Sequence, residues 1–493
     1  MNLTDYLFDQ SSHLTKDFVA GTKEKTAFWA LYRDALKLAH FLRKRHGQNK
    51  KILLAADNGV FFLTAYLAII KSGNCCIPLD TSIEQQKFEF IKKKTRARMG
   101  FFSRRIKNLI NPSMGCITES LMASILRTHA DKLYEESAFD GDRLAEIIFT
   151  SGSTSEPKGV MLSHNNIIAN TESILKYLRI TEDDRMMVVL PFFYCYGLSL
   201  LHTHLRAGGS IVLNNSFIFL SSTIQDLNKY ACTGFAGVPS HYQILLRKTD
   251  LFRKTVFPTM RYFTQAGGKL HNVFIDEFLK EGPAVPLYVM YGQTEATARL
   301  SYLPPDKLPA KMGSIGKGIP GVRLKVIKQN GQPVKPGEMG EICAHGKNVM
   351  HGYFEDPKET RKTIRNGWLQ TGDLATVDQE GFIYLVARKK EMIKVGGNRV
   401  SPKEVESVIV QMKGVIDCSL EAFDDELLGE GIRAIVTIND EGKKITEDEI
   451  KQYCGTRLAP YKVPSYVLFK ETMELSASGK RVSRQTAAIS MKE

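Results

Sequence analysis

Five hydroxyl side chains lie between Thr150 and Ser155, inside the stretch FTSGSTSEPKGVMLSH that runs from Phe149 to His164. Hydroxyls, and the backbone N–H groups that a glycine such as Gly152 leaves accessible, suit the oxygens of a phosphate group. Lys158 adds a positive charge, although the spacing is not that of a Walker A loop. By itself, the stretch is compatible with a phosphate-binding loop and with a plain surface loop.

Three other short motifs carry groups that could bind a nucleotide. In YGQTE, Glu295 stands beside Thr294, and a carboxylate next to a hydroxyl suits Mg²⁺, bound directly or through water. In TGD, Asp373 follows a glycine and could hold the two hydroxyls of a ribose. In SGK, Lys480 stands on a stretch of serine and glycine. Each motif is frequent by chance, so the specific signal is their joint presence in this order.

The elements that must position these motifs alternate between apolar strands and amphipathic helices up to about residue 300. Ser163 is a candidate N-cap for a helix that begins at His164. Alternation of this kind predicts a layered α/β fold with largely parallel sheets. The predicted strands lie within residues 51–57, 75–80, 99–103, 146–150, 186–191, 210–215, 234–239, 260–267 and 287–292.

The remainder of the chain has a different pattern. Between about residues 312 and 385, glycine turns recur every 8–12 residues or so, which predicts a β-rich subdomain. Residues 391–493 have an αβ pattern of their own and are long enough for a separate small domain. Pro402 is expected in the first turn of a helix there.

Length and composition restrict the class of protein. The chain has 493 residues, 43% of them hydrophobic and 24% charged, so we expect a globular protein of two or more domains. No apolar run reaches the roughly 18 residues of a membrane span, and the N-terminus lacks the pattern of a secretory signal. The eight cysteines include no CxxC pair, which favours reduced thiols and a cytoplasmic location over disulfides or a zinc site.

The net charge of +14 favours polyanionic ligands or acidic partners. The densest basic segments, residues 41–51 and 91–107, lack the interleaved aromatic residues of a single-stranded nucleic-acid groove. We therefore do not predict a nucleic-acid partner.

Taken together, the four motifs and several longer blocks resemble the adenylate-forming superfamily of acyl- and aryl-CoA synthetases, peptide-synthetase adenylation domains and firefly luciferase. The blocks include LPFFYCYG (190–197), AGGKL (266–270), GEMGEICAHGKNVMHGYFEDPKET (337–360) and ARKKEMIKVGGNRVSPKEVE (387–406). The resemblance implies an α/β fold with a large N-terminal domain, residues 1–389, of layered αβ subdomains plus the β-rich subdomain. A small mobile α+β C-terminal domain, residues 390–493, would follow a hinge near Lys390.

The resemblance implies a reaction in two steps. A carboxylate attacks the α-phosphate of ATP, pyrophosphate leaves, and an acyl-adenylate forms with Mg²⁺ as a second cofactor. A pantetheine thiol of CoA or of an acidic carrier protein then attacks the acyl carbon, and AMP leaves. Positioning and charge neutralisation do most of the work in the first step.

The resemblance also assigns roles to residues. Tyr291 would stack on one face of adenine, with Gly267 and Gly268 on the other face of the base. Gly292 and Gln293 would lie beside Tyr291. Thr294 would contact the α-phosphate, Glu295 would hold Mg²⁺, and Asp373 with Arg388 would anchor the ribose. Lys480 would bridge the carboxylate and the α-phosphate, while Gly396 and Gly397 would meet the pantetheine arm. The implied contacts of the triphosphate are Thr150, Ser151, Gly152, Ser153, Thr154 and Lys158.

Tyr194 departs from the common pattern of the superfamily at a position that bears on which acid is the substrate. It stands where many acyl- and aryl-CoA synthetases have histidine and where amino-acid-activating relatives have aspartate, so an α-amino acid is disfavoured. The surrounding residues predict a largely apolar tunnel, suited to a fatty or aromatic acid. The predicted tunnel residues are Phe193, Tyr194, Cys195, Tyr196, Gly237, Val238 and Pro239.

Several alternatives stay open at this point: an adenylation enzyme that serves only a carrier protein, a luciferase-like oxygenase, and a catalytically silent nucleotide-binding protein. Departures from the common pattern are Ser155 for glycine, Ala387 for glycine, Val289 for an asparagine near adenine and Glu474 for proline. None of them removes a charge that the chemistry needs, so we expect an active enzyme.

Overall fold

A computed structural model describes residues 1–21, 24–104, 106, 114–130, 139–150, 156–217, 219–425, 428–473, 475–476 and 478–479. The predicted phosphate contacts Ser151, Gly152, Ser153 and Thr154, and the predicted catalytic Lys480, lie outside the described residues. Ser155 and Glu474 lie outside them as well.

The strands, numbered along the chain, are β1 (Asp17–Val19), β2 (Thr26–Ala27), β3 (Lys51–Ala55), β4 (Cys75–Pro78), β5 (Met99–Phe102), β6 (Gly115–Ile117), β7 (Leu144–Thr150), β8 (Lys158–Ser163), β9 (Arg185–Val188), β10 (Ser210–Leu213), β11 (Gly234–Gly237), β12 (Tyr262–Gln265), β13 (Leu287–Tyr291), β14 (Ser301–Leu303), β15 (Ser314–Gly318), β16 (Val322–Ile327), β17 (Gly340–Gly346), β18 (Gly352–Tyr353), β19 (Ile364–Arg365), β20 (Trp368–Val377), β21 (Ile383–Arg388), β22 (Ile393–Val395), β23 (Asn398–Val400), β24 (Val415–Asp425), β25 (Gly429–Ile438) and β26 (Tyr466–Lys470).

The α-helices are α1 (Leu3–Phe8), α2 (Phe28–His46), α3 (Val60–Lys71), α4 (Gln85–Thr95), α5 (Glu119–Thr128), α6 (His164–Leu178), α7 (Cys195–Ala207), α8 (Leu220–Lys229), α9 (Pro239–Arg247), α10 (Leu251–Lys254), α11 (Asn272–Glu281), α12 (Pro357–Thr363), α13 (Pro402–Ile409) and α14 (Glu447–Gly455).

Three sheets organise the molecule. One has seven strands in the order β18-β8-β7-β4-β3-β5-β6, and a larger one has fourteen strands, in which β9 to β13 and β1 form the parallel part. Strands β15 to β17 and β19 to β21 extend this larger sheet with antiparallel pairing, through the pairing of β14 with β15. The third sheet, of five strands, contains β22 to β26. The predicted α/β fold class is confirmed.

Local predictions agree with these elements. Every predicted strand before residue 300 overlaps an observed strand. Ser163 caps α6 through a capping box with Asn166, because each side chain accepts a hydrogen bond from the other residue's backbone. Pro402 is the first residue of α13, where its missing N–H costs nothing.

Burial follows the layers. Buried side chains of β3 alternate between the two faces of the seven-stranded sheet, with Ile52 and Leu54 in one cluster and Leu53 and Ala55 in another. A further cluster joins the larger sheet and α9 to the C-terminal sheet, so the C-terminal part packs on the rest of the chain. In the part of the chain that is described, no helix is both long and apolar enough to cross a membrane. All eight cysteines are free.

Candidate active site

The carboxyl ends of β11, β12 and β13, three adjacent parallel strands, bring the predicted site segments together. Gly237–Pro239, Gly267–Gly268 and the YGQTE motif each follow one of these strands. Gly267 has a φ of 87°, a conformation that glycine adopts without strain. A Cβ on Gly268 would lie 3.2 Å from Pro239, so the predicted adenine and acid segments are neighbours. Ligands of open α/β sheets bind at this edge.

The predicted adenosine residues are in contact. The Tyr291 hydroxyl donates to Asp373 Oδ2 at 2.6 Å, and Arg388 Nε lies 3.2 Å from Asp373 Oδ1. Asp373 and Arg388 are opposite each other on β20 and β21. Burial raises the pKa of Asp373, and the charge of Arg388 together with the Tyr291 hydroxyl opposes that rise. The carboxylate that is predicted to anchor the ribose is thus held beside the residue predicted to stack on adenine.

The predicted phosphate loop connects β7 to β8, an antiparallel hairpin in which Thr150 pairs with Lys158. Lys158 Nζ lies 2.6 Å from Glu359 Oε1 and 5.3 Å from the ring centroid of Tyr353. The Tyr353 hydroxyl donates to Glu295 Oε1 at 2.8 Å. A continuous row of contacts therefore links the end of the phosphate hairpin to the predicted Mg²⁺ ligand.

Sequence reasoning missed Tyr353 and Glu359, although both lie in a block that it compared with the superfamily. Lys158 is the main cause of the lowered pKa of the Glu359 carboxyl. The two residues are about two hundred positions from Lys158, and β18 places Tyr353 beside β8 only through pairing in three dimensions. Spacing along the chain carries no signal for such a contact.

The predicted acid segment meets the YGQTE motif at the start of α7. Cys195 Sγ lies 3.5 Å from the Thr294 hydroxyl, and the Tyr196 hydroxyl lies 3.2 Å from the Thr264 carbonyl oxygen on β12. Val238 is completely buried, whereas Phe193 and Tyr194 are half-buried. These contacts bring the predicted acid residues next to Thr294, where the adenylate would form.

The C-terminal part reaches the same place. The Ser240 hydroxyl donates to the carbonyl oxygen of Gly479, the residue before Lys480. Gly479 has a φ of +75°, and a Cβ there would lie 2.9 Å from His241 Nε2. Gly479 therefore lies against the start of α9, next to the predicted acid residues Gly237, Val238 and Pro239.

The predicted pantetheine glycines are elsewhere. Gly396 and Gly397 form the two-residue turn between β22 and β23, with φ values of 53° and 79°, as a tight hairpin of this kind requires. Both are exposed, and the Gly396 N–H bonds to the Leu428 carbonyl. Lys390, the predicted hinge, lies in the short connection between β21 and β22.

Comparison with known proteins identifies the family. Residues 9–354 match the family described as AMP-binding enzyme, and residues 404–480 match the AMP-binding enzyme C-terminal domain. The chain belongs to the AMP-binding enzyme family. The resemblance inferred from the motifs is confirmed.

Similar curated proteins are acyl- and aryl-CoA ligases. The chain is 31% identical to oxalate–CoA ligase of Arabidopsis thaliana, over 87% of this chain and 86% of that protein. It is 28% identical to 2-succinylbenzoate–CoA ligase of Geobacillus, over 97% and 95%. It is 34% identical to feruloyl-CoA synthase of Amycolatopsis, over 69% and 68%.

Solved structures agree. ATP-bound MatB of Rhodopseudomonas palustris has a TM-score of 0.88 at 27% identity, covering 97% of this chain and 96% of that one. O-succinylbenzoate coenzyme A synthetase (MenE) of Bacillus subtilis, in complex with ATP and magnesium ion, has a TM-score of 0.84 at 25% identity, covering 97% and 98%.

The predicted class of reaction is confirmed. The protein is an ATP-binding, AMP-forming acid–thiol ligase, which activates a carboxylic acid as an acyl-adenylate and transfers the acyl group to a thiol. The relatives support this ligase and neither the carrier-only enzyme nor the oxygenase.

Proposed function

We propose that this ligase joins an apolar or aromatic carboxylic acid to CoA, with Mg²⁺-ATP as the activating reagent. The observation that carries the proposal is the row of contacts from Lys158 through Tyr353 to Glu295, beside the group formed by Tyr291, Asp373 and Arg388. These two groups are arranged to hold opposite ends of one nucleotide.

In the adenylation step, Tyr291 and Asp373 hold the nucleoside, and Thr294 holds the α-phosphate near the acid. The acid's carboxylate oxygen attacks the α-phosphorus, and the bond to pyrophosphate breaks. Lys158 is poised at the end of the phosphate hairpin to neutralise the leaving pyrophosphate. Lys480 follows Gly479, which lies at the acid segment, so its ammonium can stabilise charge on the reacting oxygens.

Glu295 is a suitable ligand for Mg²⁺. One carboxylate oxygen accepts from Tyr353, and among the described residues no hydrogen bond is made to the other oxygen. Within those residues, no group of three or more His, Cys, Asp or Glu side chains forms a ready-made metal site. Mg²⁺ commonly binds through one or two carboxylates plus phosphates and water. The bound ion would neutralise phosphate charge, and Tyr353 would orient the carboxylate for it.

CoA is the proposed thiol substrate, because the curated relatives described above are named for it. Tyr194 supplies no negative charge at the acid segment, which disfavours the ammonium group of an α-amino acid. We propose that residues 390–493 rotate about Lys390 after adenylation, so that Gly396 and Gly397 replace the SGK segment at the acyl group.

ATP–pyrophosphate exchange tests the proposal. Purified protein would be supplied with a panel of alkanoic, aromatic and amino acids, with and without Mg²⁺. We expect exchange with apolar or aromatic acids, dependence on Mg²⁺, and thioester formation on addition of CoA. Absence of exchange with every acid would contradict the adenylation step. Transfer to an acyl carrier protein in preference to CoA would contradict the proposed acceptor.

A further inference from the structure

Arg299 is a buried cation. It comes shortly after the YGQTE motif in the chain, and the residue is 2% exposed. Among the described residues, no Asp or Glu carboxylate lies within 4.0 Å of the guanidinium, and its Nε is buried without a hydrogen-bond partner. Buried arginines are ordinarily paired, because removing a charge from water is costly unless another charge compensates it.

The guanidinium contacts the predicted acid-binding residues. Its central carbon lies 3.8 Å from the ring centroid of Tyr196, one of the predicted tunnel residues. Tyr196 in turn lies 6.4 Å, centroid to centroid, from Tyr194, and its hydroxyl bonds to Thr264 on β12. Tyr177 is a further neighbour. Burial raises the pKa of its hydroxyl, and the charge of Arg299 opposes that rise. All of these groups are neutral.

The backbone that carries Arg299 is held in place. Asn170 and Asn348 both donate side-chain hydrogen bonds to its carbonyl oxygen, each at 3.0 Å. The two preceding residues, Thr297 and Ala298, have φ values of +56° and +96°, which non-glycine residues adopt only at a cost in free energy. Strain of this kind persists where the surroundings enforce it, and it recurs at ligand sites.

We propose that Arg299 binds a second acidic group of the substrate, so that the preferred acids are dicarboxylates or acids with an equivalent anionic substituent. The second anion would supply the missing counter-charge, and the planar guanidinium can bind a carboxylate through two parallel hydrogen bonds. The first carboxylate would react at Thr294, five positions earlier in the chain. This inference rests on the proposed ligase function and narrows its substrate to acids whose apolar or aromatic body carries a second anionic group.

The relatives do not decide this point. Two of those described above are named for oxalate and 2-succinylbenzoate, which carry two carboxyl groups, and the third is named for feruloyl-CoA. The inference is therefore carried by the charge at Arg299. A purely structural role predicts no difference between acids with one and with two carboxylates.

Matched pairs of acids test the proposal in the exchange assay. The pairs are hexanoate and adipate, benzoate and phthalate, and benzoylpropionate and 2-succinylbenzoate, and the members of each pair differ in one carboxylate. We expect kcat/KM to favour the dicarboxylate in at least one pair by about 10–100-fold, as for one charge-assisted contact. Equal or better use of the monoacid in every pair would overturn this inference alone.

Substitution of Arg299 separates recognition from structure. In Arg299→Met, the dicarboxylate preference should fall by about 10–100-fold, mainly through KM, because a contact remote from the reacting atoms is made in both ground and transition states. Arg299→Lys should keep part of the preference, since it keeps the charge without the planar fork. Arg185→Met removes a half-buried guanidinium at the start of β9 and should leave the preference unchanged.

Thermal unfolding gives a second readout. Because Arg299→Met removes an unpaired buried charge, its Tm should equal or exceed that of the unsubstituted protein. The preferred dicarboxylate should raise the Tm of the unsubstituted protein and not that of the variant. Equal losses of activity toward both members of a pair would overturn the proposal. If no acid supports exchange, the ligase proposal is wrong and this inference falls with it.

Discussion

Single buried residues in this protein show how the surroundings of a side chain set its protonation. Glu146, on the strand that leads into the phosphate hairpin, is 1% exposed, and its Oε1 contacts the Tyr66 hydroxyl. That hydroxyl also lies 2.6 Å from His202 Nε2. Burial raises the pKa of Glu146 to about 7 and lowers that of His202 to about 3. Cys75 and Cys76 lie in the same group, and burial raises the pKa values of their thiols.

Stability should depend on pH through Glu146. Its folded pKa of about 7 lies above the ordinary value of 4.5, so the neutral form is favoured in the folded state. This contribution is complete below the ordinary value and is lost as pH rises toward about 7. The Tm of Glu146→Gln minus that of the unsubstituted protein should therefore increase between about pH 5 and pH 8. A difference in Tm that does not change with pH would contradict the buried neutral carboxyl.

Arg299 and Tyr353 are two further single residues of interest, and neither was predicted as a site residue. The charge of Arg299 is visible in the sequence, but only packing shows that no carboxylate of the described residues lies beside it. Tyr353 reaches Glu295 only because β18 pairs with β8. By contrast, the contact of Asp373 with Tyr291 joins two residues that the motifs had already selected.

At the scale of elements, α9 connects the acid segment to the C-terminal part. It begins at Pro239, and its residues Ser240, Gln243 and Arg247 lie on one face, because these positions are three and four apart. Ser240 donates to the Gly479 carbonyl, Gln243 Nε2 to Asp417 Oδ1 at 3.0 Å, and Arg247 to the Val410 carbonyl at 2.9 Å. Polar contacts of this kind suit an interface that would have to separate during the proposed rotation of the C-terminal part.

Loss of one contact on this face should affect one half-reaction. Gln243→Ala removes a buried donor to Asp417, so the C-terminal part should dock less stably and pyrophosphate exchange should slow by about 5–30-fold, as for about 1–2 kcal/mol. Thioester formation from preformed acyl-adenylate should not slow, because it uses the other proposed arrangement. Gln225→Ala, on the exposed face of α8, is the control. Equal slowing of both half-reactions would argue against a docking role.

For the whole molecule, two segments that both follow Lys390 in the chain should each serve one half-reaction. Lys480→Ala should slow adenylation by about 10²–10³-fold, as for loss of one preorganised charge contact. Conversion of synthetic acyl-adenylate and CoA to thioester should be largely spared. Rapid-quench measurement of each step distinguishes the two effects, and equal damage to both would contradict the role proposed for Lys480.

Gly397→Val should spare adenylation and slow thioester formation. The glycine has a φ of +79° in an exposed turn, so valine would strain the turn that is proposed to meet the pantetheine arm. Pyrophosphate exchange should continue at close to the original rate, while CoA-dependent release of AMP should fall about tenfold or more. A variant that loses exchange as strongly as thioester formation would not fit a rotation of the C-terminal part.

Much of the fold was predictable because it depends on local patterns. Apolar segments between turn residues predicted the strands, Ser163 and Asn166 form a cap within one turn, and Pro402 begins α13. The order of the motifs along the chain was enough to identify the superfamily. These features need only neighbours in sequence, or the order of short blocks.

The sequence by itself determined the family and the two-step chemistry, and it predicted which residues bind the nucleotide. Only the tertiary structure decided which distant groups meet: Lys158 with Glu359, Ser240 with Gly479, and Arg299 with Tyr196. The physical reason is that strand pairing and packing join segments far apart in the chain, and burial then sets the cost of each charge. Among the described residues, the lack of a carboxylate beside Arg299 is an outcome of that packing.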